Sequence, residues 1–164
     1  MIEENFDLHQ KKSTVLFDAS WHKGVIGIVA SRLIEKHYKP TIILTESNGL
    51  AAGSARSVNG FDIYEAISAC SDLLIQYGGH KYAAGLTMQI DQIPAFQEKF
   101  EEIVAASIHD DSLQAEIAIE CEMNLAEFST KTYAVLKQFA PFGPGNMNPV
   151  FISSNVQLAS PAQL

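Results

Sequence analysis

Arginine is almost missing from this chain: only Arg32 and Arg56 occur among 164 residues. Basic residues are also outnumbered, 11 against 19 acidic ones, for a net charge of −8. That balance excludes a nonspecific polyanion binder, although not a local phosphate site. Cysteine is nearly absent too. Cys70 and Cys121 lack metal-ligand spacing and read as reduced thiols of a cytoplasmic protein. No apolar run reaches about 18 residues, so no transmembrane helix and no membrane partner are expected. The acidic opening lacks the basic-then-apolar pattern of a secretory signal. There is no HExxH, no Walker loop and no Asp–His cluster, and the histidines are scattered. No metal site can be assembled from what remains.

What is present suffices for a core, since 47% of the residues are hydrophobic. Residues 1–13 read as a polar lead-in. Residues 14–18 form a short β-rich apolar run, and 25–38 carry helical periodicity up to Pro40. Residues 41–45 are a second buried strand. Strand, helix, strand in this space predicts a βαβ unit with parallel strands. Residues 50–57 read as a strand ending in a loop around Arg56. Asp62 is placed to cap a helix, and 71–77 read as a second helix running into a pair of glycines. Residues 85–90 alternate like a strand, and 93–108 are an amphipathic helix whose Glu98, Glu101 and Glu102 read as a solvated face. Beyond Asp110 the pattern breaks. Residues 115–123 alternate like an edge strand, 130–139 are helical, 141–146 form a stiff loop, and 150–152 begin another strand. The fold expected is α/β, a mixed sheet flanked by helices. The expected divisions are 1–13, 14–109 and 110–164.

Two stretches carry the chemistry. In Gly53-Ser54-Ala55-Arg56-Ser57 the guanidinium can fork onto a phosphate, with hydroxyls at Ser54 and Ser57 and room for backbone N–H donors at Gly53. The competing reading is a surface arginine beside a turn. In Tyr77-Gly78-Gly79-His80 the glycines permit close backbone approach to a ligand, and His80 can exchange a proton near neutrality. Here the alternative is a histidine that bonds its own backbone. Trp21-His22-Lys23-Gly24 precedes a helix start, where anions bind. It could equally be a structural turn. Arg32, two turns into that helix, is either a further contact or part of a solvated face. Arg56 and His80 are expected to point into one pocket.

The phrase from Trp21 to Leu33, WHKGVIGIVASRL, resembles the RecJ family of single-strand-specific exonucleases. Gly53-Ser54-Ala55-Arg56-Ser57, then Gly78-Gly79-His80 with Ala83-Ala84-Gly85, resemble that family's DHHA1 domain in the same order. Pro141-Phe142-Gly143-Pro144-Gly145-Asn146 and Pro149-Val150-Phe151 resemble its junction with an OB-fold. Ala55 stands where the family pattern has glycine, and Met147 where proline is usual. The resemblance implies the substrate-gripping part of a 5′→3′ single-stranded-DNA exonuclease of recombination and repair. Its partners would be single-stranded DNA and its own DHH and OB-fold domains. It implies Mn²⁺ or Mg²⁺ in a DHH domain expected upstream, and no cofactor in this chain. In it, Ser54, Arg56 and Ser57 would grip a phosphate, His80 would lie near the scissile group, and His22 and Arg32 would be lesser contacts. Two other readings stay open: a DHH-superfamily phosphodiesterase for short oligonucleotides or cyclic dinucleotides, and a non-catalytic nucleic-acid-binding module.

Overall fold

Short apolar runs rich in β-branched residues become strands here, because their pleated faces can be buried. The computed structural model describes residues 10–143 and 145–157. Residues 1–9 of the expected lead-in and Pro144 of the stiff loop lie outside them. The chain divides into two compact units, residues 1–115 and 116–164. No helix among the described residues is long and apolar enough to cross a membrane.

In the first unit, β1 (Thr14–Phe17), α1 (Ile26–His37) and β2 (Thr41–Ser47) form the predicted βαβ unit, with β1 and β2 parallel. Tyr38 closes α1 in the left-handed conformation, just before Pro40. A two-residue turn, Asn48 at φ 56° and Gly49 at φ 77°, leads into β3 (Leu50–Arg56). Two positive φ values in succession match the twist of an antiparallel hairpin. Next come α2 (Ile63–Ser68), β4 (Gln76–His80), β5 (Ala83–Met88) and α3 (Ile93–Ser107). Asp62 caps α2 by accepting from the N–H groups of Tyr64 and Glu65. The mixed sheet runs β1-β2-β3-β5-β4.

Helices cover both sides of this sheet. Ile42, Leu44, Ala55, Leu86 and Met88 are buried in one cluster with Ile63 and Ile67 of α2 and Phe96, Phe100 and Val104 of α3. Ile43 packs on the other face with Ile26 and Ala30 of α1. Each fully buried large side chain contributes about 1.5–3 kcal/mol, so the α2/α3 side holds most of the stability. Glu101 corrects the expectation of a solvated glutamate face. It accepts from Lys12 N (2.7 Å), Ser13 N (2.9 Å) and Ser13 Oγ, and so ties the entry of β1 to α3. Glu98 and Glu102 are exposed.

Two other expectations are revised. Residues 71–77 are not a helix. A 3₁₀ turn spans Ser71–Leu73, and β4 begins at Gln76. Leu73, Leu74 and Tyr77 do pack on the core, but they reach it from a turn and a strand held by β5. The edge strand expected over 115–123 is only β6 (Cys121–Glu122), paired in parallel with β7 (Phe151–Ile152). Pairing extends only as far as residues 150–152 run alongside. In this second unit α4 (Thr130–Leu136) starts from a Ser129/Thr132 capping box. The loop before β7 is closed by Asn146, whose Nδ2 donates to the carbonyls of Phe139 (2.8 Å) and Pro141 (2.9 Å).

Candidate functional site

The register of the sheet decides which side chains share a face. Directly paired residues point the same way. One row therefore runs Thr41, Arg56, Ala83, His80, and the next runs Ile43, Ser54, Gly85, Gly78. A third runs Thr45, Ala52, Thr87, Gln76. Ile43 lies under α1, so all three rows face α1. That helix covers the β1–β2–β3 side. Over β5 and β4 the rows carry small residues and stay open, with Gly78, His80 and Gly85 exposed.

Arg56 is therefore not in a loop. It is the last residue of β3, partly buried, with Nη1 donating to Ser54 Oγ (3.0 Å) and to the Ala55 carbonyl (2.8 Å). Its guanidinium lies against the first turn of α1. A Cβ on Gly27 would meet Arg56 Nη2 at 2.8 Å and Ser54 Oγ at 3.1 Å. The first turn of a helix presents unpaired N–H groups and a partial positive charge. Here that turn has no acidic residue and no side-chain cap. A cation beside it is the opposite of the favourable arrangement. Two positive ends thus converge on one spot, with a serine hydroxyl between them, and an anion there would relieve both.

His80 shares Arg56's row and face, with Ala83 between them, so the two Cα positions are about 10 Å apart. It ends β4 at the tip of the β4–β5 hairpin, where Nδ1 accepts from Tyr82 N (3.3 Å). Gly78 and Gly79 are strand residues as well. Gly79 is required by the backbone: φ is 151°, and a Cβ would come within 2.3 Å of the Ala83 carbonyl. Gly78 has no such need, since an added Cβ meets nothing within 4 Å.

Other candidates separate from this group. Gly53 sits on a strand paired on both sides, so its backbone N–H and C=O join the ladders. Its lack of a side chain makes room for Leu44 and Leu86, whose Cδ2 atoms lie 2.6 and 2.8 Å from a built Cβ. Ser57 donates to the Phe61 carbonyl (2.7 Å) and fastens the loop after β3. Arg32 lies on the outer face of α1, paired with Glu35 at 2.7 Å, and does not join Arg56.

The loop before α1 is built by short-range bonds. Asp18 accepts from the Ser20 hydroxyl (2.6 Å) and Ser20 N (2.8 Å). The hydroxyl bond and then the backbone bond hold its carboxyl below the usual range. Thr45 Oγ1 donates to the Trp21 carbonyl (2.6 Å). His22 Nδ1 accepts from Gly24 N at 3.1 Å, which ties His22 to its own turn. The residues that sequence reasoning missed are Gly27, whose only signal was a glycine inside a helical repeat, and Thr45. Among the described residues no three His, Cys, Asp or Glu side chains are grouped to hold a metal ion.

Residues 10–106 match the DHHA1 domain and residues 119–164 the RecJ OB domain. The chain is 33% identical over 146 residues to the single-stranded-DNA-specific exonuclease RecJ of Bacillus subtilis, covering 88% of this chain and 19% of that protein. To the protein of the same name from Haemophilus influenzae it is 35% identical over 141 residues, covering 83% and 24%. In three dimensions it is similar to the crystal structure of RecJ in complex with Mn²⁺ from Thermus thermophilus. The TM-score is 0.77 at 33% identity, covering 87% of this chain and 21% of that one. The chain thus spans about a fifth to a quarter of the length of these relatives.

Proposed function

This chain belongs to the RecJ family, carrying its DHHA1 domain and RecJ OB-domain sequence, and from that premise we propose that it is the substrate-gripping part of a 5′→3′ single-stranded-DNA exonuclease of recombination and repair, working in the cytoplasm. One observation carries the reading: Arg56 and Ser54 converge with the first turn of α1, a turn with no acidic residue, on a spot that suits an anion. A backbone phosphate of the DNA supplies it. Arg56 gives the phosphate a planar pair of donors, Ser54 a hydroxyl, and α1 its N–H groups. His80, on the same face, lies by the phosphate undergoing cleavage and donates a proton or a hydrogen bond as charge develops there.

The relatives with solved structures bind Mn²⁺ or Mg²⁺. The described residues of this chain offer no such cluster. On this reading the ion belongs to the DHH domain of the full-length protein, where it activates water. What this chain does is bind and orient the strand. The RecJ OB match favours a polymeric strand over a cyclic dinucleotide, because OB folds track extended single strands.

The test is Arg56→Ala in the full-length protein. Affinity for single-stranded DNA should fall, and the slope of log K against log salt should shrink by about one phosphate contact. Unchanged affinity with an unchanged slope would remove Arg56 from the DNA and with it this reading.

A further inference from the structure

A cavity of about 330 Å³ opens on the α1 face, beside the row that carries Ser54. Gly78 and Gly85 form its floor, Lys23 stands at one side, and Gln76 and Thr87 close one end. The fold does not need either floor glycine. Both keep negative φ. An added Cβ on Gly78 meets nothing within 4 Å, and on Gly85 only the Gly53 carbonyl at 3.8 Å. Glycine inside a strand is unfavourable unless a bulge or a close approach requires it, so the space above these two is what they preserve.

The rim is polar, and one side of it is held in place. Thr45 shares a row with Thr87 and Gln76, and its hydroxyl holds the Trp21 carbonyl, so the loop carrying Lys23 is pinned above that row. Successive rows on one face are about 7 Å apart. The cavity therefore begins one short step from the Ser54–Arg56 corner. Lys23, Gln76 and Thr87 border it from three elements and bring it an ammonium-bearing, an amide and a hydroxyl side chain. A few convergent polar groups around an open seat of about 300 Å³ or more are the usual anatomy of a small-ligand site. An amide and a hydroxyl beside a single cation offer the mixed donors and acceptors that the edge of a base and a sugar require.

We infer that this cavity seats the nucleoside attached to the phosphate that Ser54 and Arg56 hold, an inference that rests on the reading of that corner as a phosphate site. Lys23 and Gln76 donate to base-edge acceptors, Thr87 meets the sugar, and the glycine floor lets the nucleoside lie against the backbone.

The experiment is a ³¹P NMR titration of the full-length protein with two probes, inorganic phosphate and deoxythymidine monophosphate. The monophosphate should bind about tenfold tighter than phosphate, the worth of one or two hydrogen bonds. Gly78→Val puts a side chain into the cavity from a position whose Cβ meets nothing within 4 Å, and should abolish that preference while leaving phosphate affinity within about twofold. The pair Gln76→Ala and Thr87→Val, which leaves the glycine floor intact, should also lower the preference at least about threefold. A preference absent from the unaltered protein, or kept in both variants, overturns the inference. Arg56→Ala should weaken both probes alike. If instead it weakens neither, the phosphate reading fails, whatever the cavity binds.

Discussion

The Arg56 guanidinium rests against Gly27: Nη2 would stand only 2.8 Å from a methyl group added there. The obstacle is the far end of a flexible side chain, so the fold can yield while the guanidinium cannot keep its place. Gly27→Ala should therefore separate stability from binding. Inside α1, alanine is favoured over glycine by up to about 1 kcal/mol, so the melting temperature should hold or rise. Affinity of the full-length protein for single-stranded DNA should fall at least about threefold as Arg56 is displaced. Thermal melts and fluorescence anisotropy read the two effects. Binding that survives unaltered would mean that the position of Arg56 is immaterial.

His80→Ala should act on rate rather than grip. In the full-length protein, turnover of single-stranded DNA should drop by roughly 100-fold, while DNA affinity stays within about twofold. Single-turnover kinetics beside equilibrium binding would reveal the split. A loss confined to affinity would move His80 from chemistry to anchoring.

The paired glycines of β4 should respond differently to alanine. Gly79→Ala meets the Ala83 carbonyl at 2.3 Å and needs φ near 151°. It should cost about 1–3 kcal/mol in denaturant unfolding. Gly78→Ala, which meets nothing within 4 Å, should be neutral or slightly stabilising. Equal effects at both positions would contradict the backbone geometry of the hairpin.

Cys70 is buried in the core and its thiol is pushed up to about 11, chiefly by burial. In the unfolded chain it ionises near the ordinary value of 9.0. Between these two values the unfolded state holds fewer protons, so stability should fall as pH rises from about 9 to about 11. The contribution is intact below that window. Cys70→Ala should flatten the slope in denaturation curves taken across it. At about pH 8, a thiol reagent should label exposed Cys121 quickly and Cys70 only on unfolding.

Much of this domain could be read directly. The runs at 14–18 and 41–45 are short, apolar and β-rich, and the repeat at 25–38 puts Ile26 and Ala30 under one stripe, so the βαβ unit and its parallel strands follow from pattern alone. Arg56 stood out because arginine is scarce. What could not be read depended on partners remote in sequence. Residues 76–80 hold two glycines and no β-branched residue, yet they form a strand because β5 pairs with all five. Glu101 looks like any glutamate on a helix until Ser13 and Lys12, nearly ninety residues away, turn out to donate to it. Gly53 suggested ligand contact, while the space its missing side chain leaves is taken by two leucines on flanking strands. Local periodicity reports which side of an element is buried; it does not report what lies across from it.

The twisted backbone of Gly79 has a consequence for how the protein behaves in a crowd. β4 is the terminal strand of its sheet, and terminal strands are where chains stick to one another. A second copy adding itself along Gln76–His80 would need a regular pleat. It would meet φ 151° in mid-strand and two neighbouring positions without side chains to interlock. Such a segment is a poor seed for cross-β growth. Two positions without side chains and a twisted backbone thus make this border of the sheet unattractive to another strand.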